Sequence, residues 1–168
     1  MFLVVAVDRN WAISEDNSLV YRIPAIQAQF RELTRGKTII YNRKTLKNFP
    51  NCQPLEGCRN LIYTRDMNYT CAGATIIHSI DELNDFQSNE LYVIGGSNAY
   101  RLLYQKCKYA FVAYVDSNSV DCNTFFPDLS TKNNWSRLDC TSIIHYQGIP
   151  FTFATYINDS NRLDIRPL

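Results

Sequence analysis

A strand, a pair of glycines and a helix follow one another in the segment Leu91-Tyr-Val-Ile-Gly-Gly-Ser-Asn-Ala-Tyr100. The apolar residues before the glycines predict a buried strand, and a helix is predicted to begin at Ser97. Glycines let the backbone approach a phosphate closely, and the N-terminus of a helix offers N–H groups and a favourable dipole. A glycine pair at a strand end is also typical of an ordinary turn, so this segment indicates a phosphate site only in combination with others.

The same alternation of strands and helices extends on both sides of this segment. Strands are predicted at residues 2–7, 38–41, 60–63, 74–77, 91–94 and 109–115. Helices are predicted at residues 24–36, 43–48, 80–86 and 97–104, with a polar loop at residues 8–22. Two further β-like runs, near residues 137–145 and 151–157, flank Gln147-Gly148 and predict a hairpin. This order predicts an α/β fold, with a mostly parallel central sheet, helices on both faces and a C-terminal antiparallel hairpin.

Size and composition limit the organisation of the chain and its partners. The chain has 168 residues, of which 46% are hydrophobic and 20% charged, and this balance is typical of a globular domain. We assign residues 1–158 to one domain and residues 159–168 to a C-terminal tail. The net charge is +1 and no run of basic residues is present, so we expect no nucleic-acid partner, and we expect a monomer.

The N-terminus and the cysteines indicate a cytoplasmic protein. The first seven residues lack the basic start and the cleavage site of a signal peptide, and no apolar run reaches the roughly 20 residues of a membrane span. We therefore expect no membrane partner. The six cysteines contain no C-x-x-C pair and the two histidines are far apart in the sequence, so we expect no metal site. We interpret the cysteines as thiols in a reducing compartment.

Several other predicted strands end in groups that suit a phosphate. Asn42-Arg43-Lys44-Thr45 follows one strand, Thr64-Arg65 follows the next, and His78 follows a third. Each cation alone is typical of a solvated surface. Because ligands of parallel sheets bind beyond the carboxyl ends of the strands, these groups together predict a site for a phosphorylated cofactor.

With these segments in this order, the sequence resembles the dihydrofolate reductase family over nearly all of residues 1–157. The matching segments are Ala6-Val-Asp-Arg-Asn-Trp11, Asp16-Asn-Ser-Leu19, Ile23-Pro24 with Phe30, Arg43-Lys-Thr45, Asn60-Leu-Ile-Tyr-Thr-Arg65, His78-Ser-Ile-Asp-Glu82, Tyr92-Val-Ile-Gly-Gly96 with Tyr100, and Thr124-Phe-Phe-Pro-Asp128. Their order and spacing carry the resemblance, which no single segment would.

The resemblance implies a binding site for NADPH. Arg43 and Arg65 fall where the family contacts the 2′-phosphate, with His78 nearby, and the start of the helix after Gly95-Gly96 falls beside the pyrophosphate. Arginine suits this role because its planar guanidinium donates two hydrogen bonds to a phosphate. The cofactor-binding positions that the resemblance implies are Ala6, Ile13, Asn42, Arg43, Lys44, Thr45, Thr64, Arg65, His78, Ile94, Gly95, Gly96, Ser97, Asn98, Ala99 and Tyr100.

The substrate half departs from the family pattern. The acid that binds the pterin ring falls at Ile26, its threonine partner at Ala113, and the arginine that binds the carboxylate tail at Cys58. Replacing both members of the acid–threonine pair is physically consistent, because losing one alone would leave a buried polar group unpaired. No catalytic residue can be named, and the substrate-contacting positions that the resemblance implies are Val4, Tyr21, Ile26, Phe30, Phe49 and Ala113.

Three functions stay open. The first is an NADPH-dependent reductase that converts 7,8-dihydrofolate to tetrahydrofolate by hydride transfer, with weak or altered activity because the acid is missing. The second is a reductase of another substrate that resembles a pterin or a pyrimidine. The third is a non-catalytic protein that binds the cofactor.

Overall fold

The computed structural model describes residues 1–15, 18–19, 22–86, 90–118 and 122–160. Tyr21, residues 16–17 and the tail beyond residue 160 lie outside the described residues, so the expectations for them stay predictions. Within the described part, no helix is long and apolar enough to cross a membrane.

The predicted alternation of strands and helices is confirmed. The strands are β1 (Phe2–Val7), β2 (Ala12–Glu15), β3 (Ser18–Leu19), β4 (Thr38–Asn42), β5 (Arg59–Tyr63), β6 (Ala74–Ile77), β7 (Leu91–Gly95), β8 (Tyr109–Val115), β9 (Thr124–Phe125), β10 (Trp135–Cys140), β11 (Ile144–Tyr146) and β12 (Ile149–Asn158). The α-helices among the described residues are α1 (Pro24–Thr34) and α2 (Ser97–Leu103). Short 3-10 helices lie at Arg43–Asn48, Pro50–Cys52, Ile80–Asp85, Tyr104–Lys106 and Leu129–Thr131.

One mixed sheet organises the molecule. Its strand order is β10-β12-β8-β1-β7-β4-β5-β6, and β11 pairs with β12 beside it. The strands from β8 to β6 are parallel to their neighbours, whereas β12 is antiparallel to β8 and to both β10 and β11. The α/β class, the mostly parallel sheet and the antiparallel C-terminal hairpin are therefore confirmed.

Two segments differ from the sequence-based prediction. Residues 8–22, predicted as a loop, contain β2 and β3, which form a small separate sheet with β9. The run at residues 137–145 is not one strand, because it divides into β10 and β11, which pair with different parts of the long strand β12. A β-bulge between Arg137 and Asp139 also interrupts the register of β10 with β12.

Both faces of the central sheet are covered, which explains the continuous apolar runs. Successive side chains of a strand point to opposite faces, so Leu3 and Val5 of β1 belong to one core and Val4 to the other. Every residue of β7 is buried. The strand ends are therefore fixed by packing on both sides, and this rigidity positions the loops that follow them.

Helix α1 lies over the sheet with its apolar face only half covered. Pro24 opens the helix, and Gly36, with φ of +73°, follows its end. Thr34 is the buried residue of α1, while Phe30 and Leu33 are half-buried. Ile26, Phe30 and Leu33 recur at helical spacing, and the apolar face that they form lines a cleft.

The cysteines differ strongly in their surroundings, and none of the six forms a disulfide. Burial raises the pKa of the Cys107 thiol to about 12, and Cys52 and Cys140 are exposed. Because only the thiolate is reactive, we expect Ellman's reagent at pH 8 to modify Cys52 and Cys140 quickly and Cys107 only when the chain unfolds. Mass spectrometry of partially modified protein checks this order, and early labelling of Cys107 in the native state would contradict it.

Candidate active site

A cleft of about 820 Å³ separates α1 from the central sheet. Strands β1 and β8 form much of its floor, with Val4 and Ala113 among the lining residues. Ile26 and Phe30 of α1 form the roof, and Phe49 lines the side next to the 3-10 helices. An apolar cleft of this size suits a flat ring system with a few polar contacts.

The glycine pair lies where β7 ends, and residues with a side chain would not fit at these two positions. Gly95 has φ of +138°, a conformation that residues with a Cβ rarely adopt, and the Gly95–Gly96 peptide bond is cis. A Cβ on Gly96 would come within 3.1 Å of Thr45 Oγ1. The glycines thus let the 3-10 helix at Arg43–Asn48 approach the start of α2, and this close approach is what a phosphate cradle requires.

Asn42 joins the two segments that were predicted to bind phosphate. Its side-chain Oδ1 accepts a hydrogen bond from Ala99 N at 2.8 Å, so the end of β4 caps the first turn of α2. The sequence placed Asn42 in the cofactor site through its neighbours. The structure gives it a capping role that orients the start of α2.

Tyr100 ties α2 to the floor of the cleft. Its hydroxyl donates a hydrogen bond to the Val4 carbonyl at 2.7 Å, and its ring packs edge-on against Phe126 with centroids 5.1 Å apart. Burial raises the pKa of the Tyr100 hydroxyl, so this group stays protonated. Tyr100 therefore links α2 to β1, and it also lines the cleft.

The basic strand ends lie along one edge of the sheet, because β4, β5 and β6 are neighbours. Arg43 follows β4 and forms an ion pair with Asp66 at 2.7 Å, and its guanidinium stacks 5.3 Å from the centroid of the Tyr69 ring. His78 Nδ1 lies 2.9 Å from the Thr64 carbonyl, so Nδ1 is the donor in this contact. The arrangement presents cations around the ends of three adjacent strands.

Sequence reasoning missed Asp66. Its Oδ2 accepts from Arg43 and its Oδ1 accepts from Asn68 N at 3.1 Å, which fixes the carboxylate beside the predicted 2′-phosphate position. The only signal in the sequence was an acid directly after Thr64-Arg65, and this signal gains meaning only when β4 and β5 are known to be adjacent.

The predicted substrate half is apolar where the family carries its acid. Ile26 packs against a cluster of buried residues that includes Ile23, Val115 and Phe151. Phe153, which lies opposite Ala113 in the sheet, packs on the same cluster. Within the described residues, the carboxylate that lines the cleft is that of Asp139, on β10.

Cys58 occupies the position of the family's tail-binding arginine, and its thiol forms a hydrogen bond with the end of α1. Cys58 Sγ donates to the Thr34 carbonyl at 3.3 Å, at the C-terminal end of α1, and burial raises the pKa of this thiol. Arg59 does not take over the role, because its guanidinium lies 4.6 Å from the centroid of the Phe86 ring and is not among the lining residues of the cleft.

The structure brings together only part of the predicted site. Some of the predicted cofactor-binding and substrate-contacting residues line the cleft. They are Val4, Ala6, Ile26, Phe30, Thr45, Phe49, Ile94, Tyr100 and Ala113. Ile13, predicted to contact the cofactor, is instead buried in the core cluster that also holds Trp11 and Phe126. Arg43 and Lys44 line a second, smaller pocket beside Cys52.

The comparisons with known proteins agree with this geometry. A family model described as dihydrofolate reductase matches residues 1–158. The dihydrofolate reductase of Neisseria gonorrhoeae is 28% identical over 158 residues, covering 92% of this chain and 96% of the relative. That of Mycobacterium tuberculosis is 33% identical over 115 residues, covering 68% of this chain and 70% of the relative.

A solved structure shows the same fold. It is the dihydrofolate reductase of Enterococcus faecalis complexed with NADP(H) and RAB-propyl, with a TM-score of 0.82 and 21% identity over 94% of this chain and 95% of that chain. The family model covers almost the whole described structure, and the chain belongs to the dihydrofolate reductase family.

Proposed function

We propose that the chain is an NADPH-dependent reductase whose cofactor half resembles that of its family and whose substrate half is altered. The observation that carries this proposal is the contrast between the two halves. Gly95-Gly96, Thr45 and Asn42 form a connected cradle at the start of α2, whereas Ile26 occupies the acid position as part of an apolar cluster.

The residues present fit NADPH. Gly96, which has no side chain, lies close to Thr45 at the start of α2, so a phosphate can approach the backbone there. Arg43 and Arg65 follow strands β4 and β5, which are neighbours in the sheet. When bound, NADPH supplies a hydride to the substrate. The protein would hold the nucleotide at this edge, and the 2′-phosphate would compete with Asp66 for the Arg43 guanidinium.

The cleft itself positions the substrate and excludes water. Val4 and Phe30 offer apolar surfaces to the two faces of a ring. No ionisable side chain occupies the α1 position that delivers a proton in the family, and we propose that solvent supplies the proton. Losing a general acid typically lowers a rate by about 10²- to 10⁴-fold. We therefore propose slow reduction of dihydrofolate, with a related heterocycle as the alternative substrate.

Two measurements on the purified chain test the proposal. NADPH binding is followed by quenching of protein fluorescence, and oxidation of NADPH with dihydrofolate is followed by absorbance from pH 5 to pH 8. We expect binding, together with slow turnover that decreases as pH rises because the proton comes from solvent. Gly96→Ala, which brings a methyl group to 3.1 Å from Thr45 Oγ1, is expected to weaken NADPH binding.

Each other outcome of these measurements has a definite meaning. Absence of NADPH binding would contradict the proposal. Binding without turnover of dihydrofolate or related heterocycles would support the non-catalytic alternative. Turnover as fast as that of an enzyme with an internal acid, with a rate that levels off below the pKa of a single group, would show that the substrate half is not altered.

Cofactor preference depends on Arg43 and Asp66. We expect Arg43→Gln to weaken NADPH binding by about tenfold or more and to leave NADH binding unchanged, because a charge-assisted hydrogen bond contributes about 1.5–3 kcal/mol. We expect Asp66→Asn to strengthen NADPH binding by about two- to fivefold, since it removes a like charge at a half-exposed site. Arg137→Gln and Asp85→Asn serve as charge-matched controls. Equal effects on both nucleotides would contradict this placement.

A further inference from the structure

The floor of the cleft continues well beyond the family's substrate position. In the sheet register, Val4 lies opposite Phe111, Phe111 opposite Thr155, and Thr155 opposite Asp139. Directly opposed residues share one face of a sheet, and all four line the cleft. This row crosses four strands, from β1 to β10, which is about 14 Å at roughly 4.8 Å per strand.

A second row runs beside the first. Ala6 lies opposite Ala113, and Ala113 lies opposite Phe153. Thr141 adjoins Phe153 through two hydrogen bonds, from Thr141 N to the Phe153 carbonyl at 2.9 Å and from Phe153 N to Thr141 Oγ1 at 3.1 Å. All four of these residues also line the cleft, so both rows extend to the β10 edge.

Helix α1 lies across this floor, and the cleft passes beneath it. Ile26, Gln29 and Leu33 share one side of the helix by their spacing, and Gln27 and Arg31 share the other. Residues of both sides line the cleft. The space is therefore elongated under α1, with one end at β1 near the glycine pair and the other at β10.

The chemistry of the floor changes from apolar to polar along its length. Thr155, Asp139 and Thr141 line the β10 end of the floor, whereas aliphatic and aromatic residues line most of the remaining floor. The basic residues that line the cleft lie off this floor, just before α1, on α1 and on the 3-10 helix at Arg43–Asn48, and they are Arg22, Arg31 and Lys47. Asp139 Oδ1 accepts from Thr155 N at 3.1 Å, which fixes the carboxylate on the floor next to the bulge in β10. The ion pairs among the described residues join Arg9 to Asp116 and Arg43 to Asp66, so neither of them neutralises Asp139.

We propose that the β10 end of the cleft is a binding subsite for a cationic N–H group, such as an amidinium or a protonated amine, with Asp139 as its anchor. A ligand would place an aromatic ring on the apolar rows and its cationic end at Asp139, about 10 Å or two strand spacings from Ala113. A carboxylate with one oxygen already fixed by a backbone N–H selects such groups because charge-assisted hydrogen bonds are the strong ones.

This subsite deepens the proposed function. It rests on that proposal in one respect, namely that the substrate binds in this cleft. It assigns the substrate or inhibitor class as elongated, aromatic and positively charged at one end. The anionic tail of folate has no counterpart there, because the Asp139 carboxylate would repel a second carboxylate.

The test compares three probes of one shape and different charge. Binding of 4-aminobenzamidine, the neutral 4-aminobenzamide and the anionic 4-aminobenzoate is measured by calorimetry on the wild type and on Asp139→Asn. We expect the wild type to bind the amidine about five- to tenfold more tightly than the amide, with the benzoate weakest, and the preference to shrink at high salt. In Asp139→Asn the amidine and the amide should bind alike.

Control variants separate the subsite from general effects. Asp85→Asn removes an exposed acid that does not line the cleft and should keep the full preference for the amidine. Asparagine can still accept from Thr155 N, so Asp139→Asn should fold. If its thermal unfolding shows otherwise, Asp139→Ser offers a shorter acceptor for the same comparison.

Two results would overturn the subsite, namely equal wild-type affinity for the amidine and the amide, or a preference that persists in Asp139→Asn and Asp139→Ser. The probes contain no nucleotide, so this outcome is independent of NADPH binding. Loss of the amidine preference with intact NADPH binding removes this inference alone, and absence of NADPH binding with an intact preference removes the reductase proposal alone.

Discussion

Trimethoprim is expected to bind the wild-type chain at least a hundredfold more weakly than it binds the Ile26→Asp, Ala113→Thr double variant. In the family that this chain belongs to, diaminopyrimidines bind as cations paired with the buried acid on α1. Here that position is Ile26, packed against Val115 and Phe151. Leaving a buried cation without its partner costs about 3–5 kcal/mol, which corresponds to roughly 10²- to 4 × 10³-fold in affinity.

The control for this prediction is the Ile26→Asn, Ala113→Thr variant, which has the same shape without the charge. Its affinity should stay close to that of the wild type, as measured by fluorescence titration in the presence of NADPH. A nanomolar dissociation constant for the wild type would contradict the placement of Ile26. Repeating the titration on Asp139→Asn would then show whether that carboxylate substitutes for the missing acid.

Local signals in the sequence were sufficient for most of the elements. The apolar run of β7 predicts its burial on both faces, and every residue of that strand is buried. The spacing Ser79-Ile-Asp-Glu82 is typical of a capping box, and the box is present, with Glu82 Oε1 accepting from Ser79 N at 2.7 Å. Gln147 and Gly148 both have positive φ between β11 and β12, as a two-residue hairpin turn requires. Each of these features depends on residues close together in the chain.

The features that were missed depend on residues far apart in the chain. Strand β2 spans only four residues and pairs with the two-residue strand β3 and with β9, which lies more than a hundred positions later in the chain. Strands this short carry too little local pattern to be predicted. Asp66 reaches Arg43 only because β4 and β5 are adjacent. Likewise, Asp139 belongs to the cleft through its register with Thr155 on β12. Sequence spacing gives the type of an element, whereas its partner is decided by the packing of the whole chain.

Replacing Ile26 by aspartate alone is expected to destabilise the fold by about 3 kcal/mol at pH 7. The change removes a half-buried apolar side chain from the cluster with Ile23, Val115 and Phe151, which accounts for about half of the roughly 1.5–3 kcal/mol of a fully buried one. It also places a carboxylate in apolar surroundings, where desolvation disfavours the charged form and raises its pKa. Ala113→Thr supplies a hydroxyl near this carboxylate, so the double variant should recover part of the loss and the two changes should be non-additive.

The pH dependence distinguishes the charge from the lost packing. The pKa of aspartate is about 3.9 in the unfolded chain and higher in this folded variant, so the unfolded state binds fewer protons between the two values. Stability of Ile26→Asp should therefore fall as pH rises from about 4 and level off above the folded pKa. Ile26→Asn, which loses the same packing but carries no charge, should lack this added dependence. Urea unfolding of Ile26→Asp, Ala113→Thr, their double variant, Ile26→Asn and the wild type at several pH values measures both effects. A destabilisation of Ile26→Asp that does not change with pH, or that Ala113→Thr does not reduce, would show that the two side chains do not share a buried site.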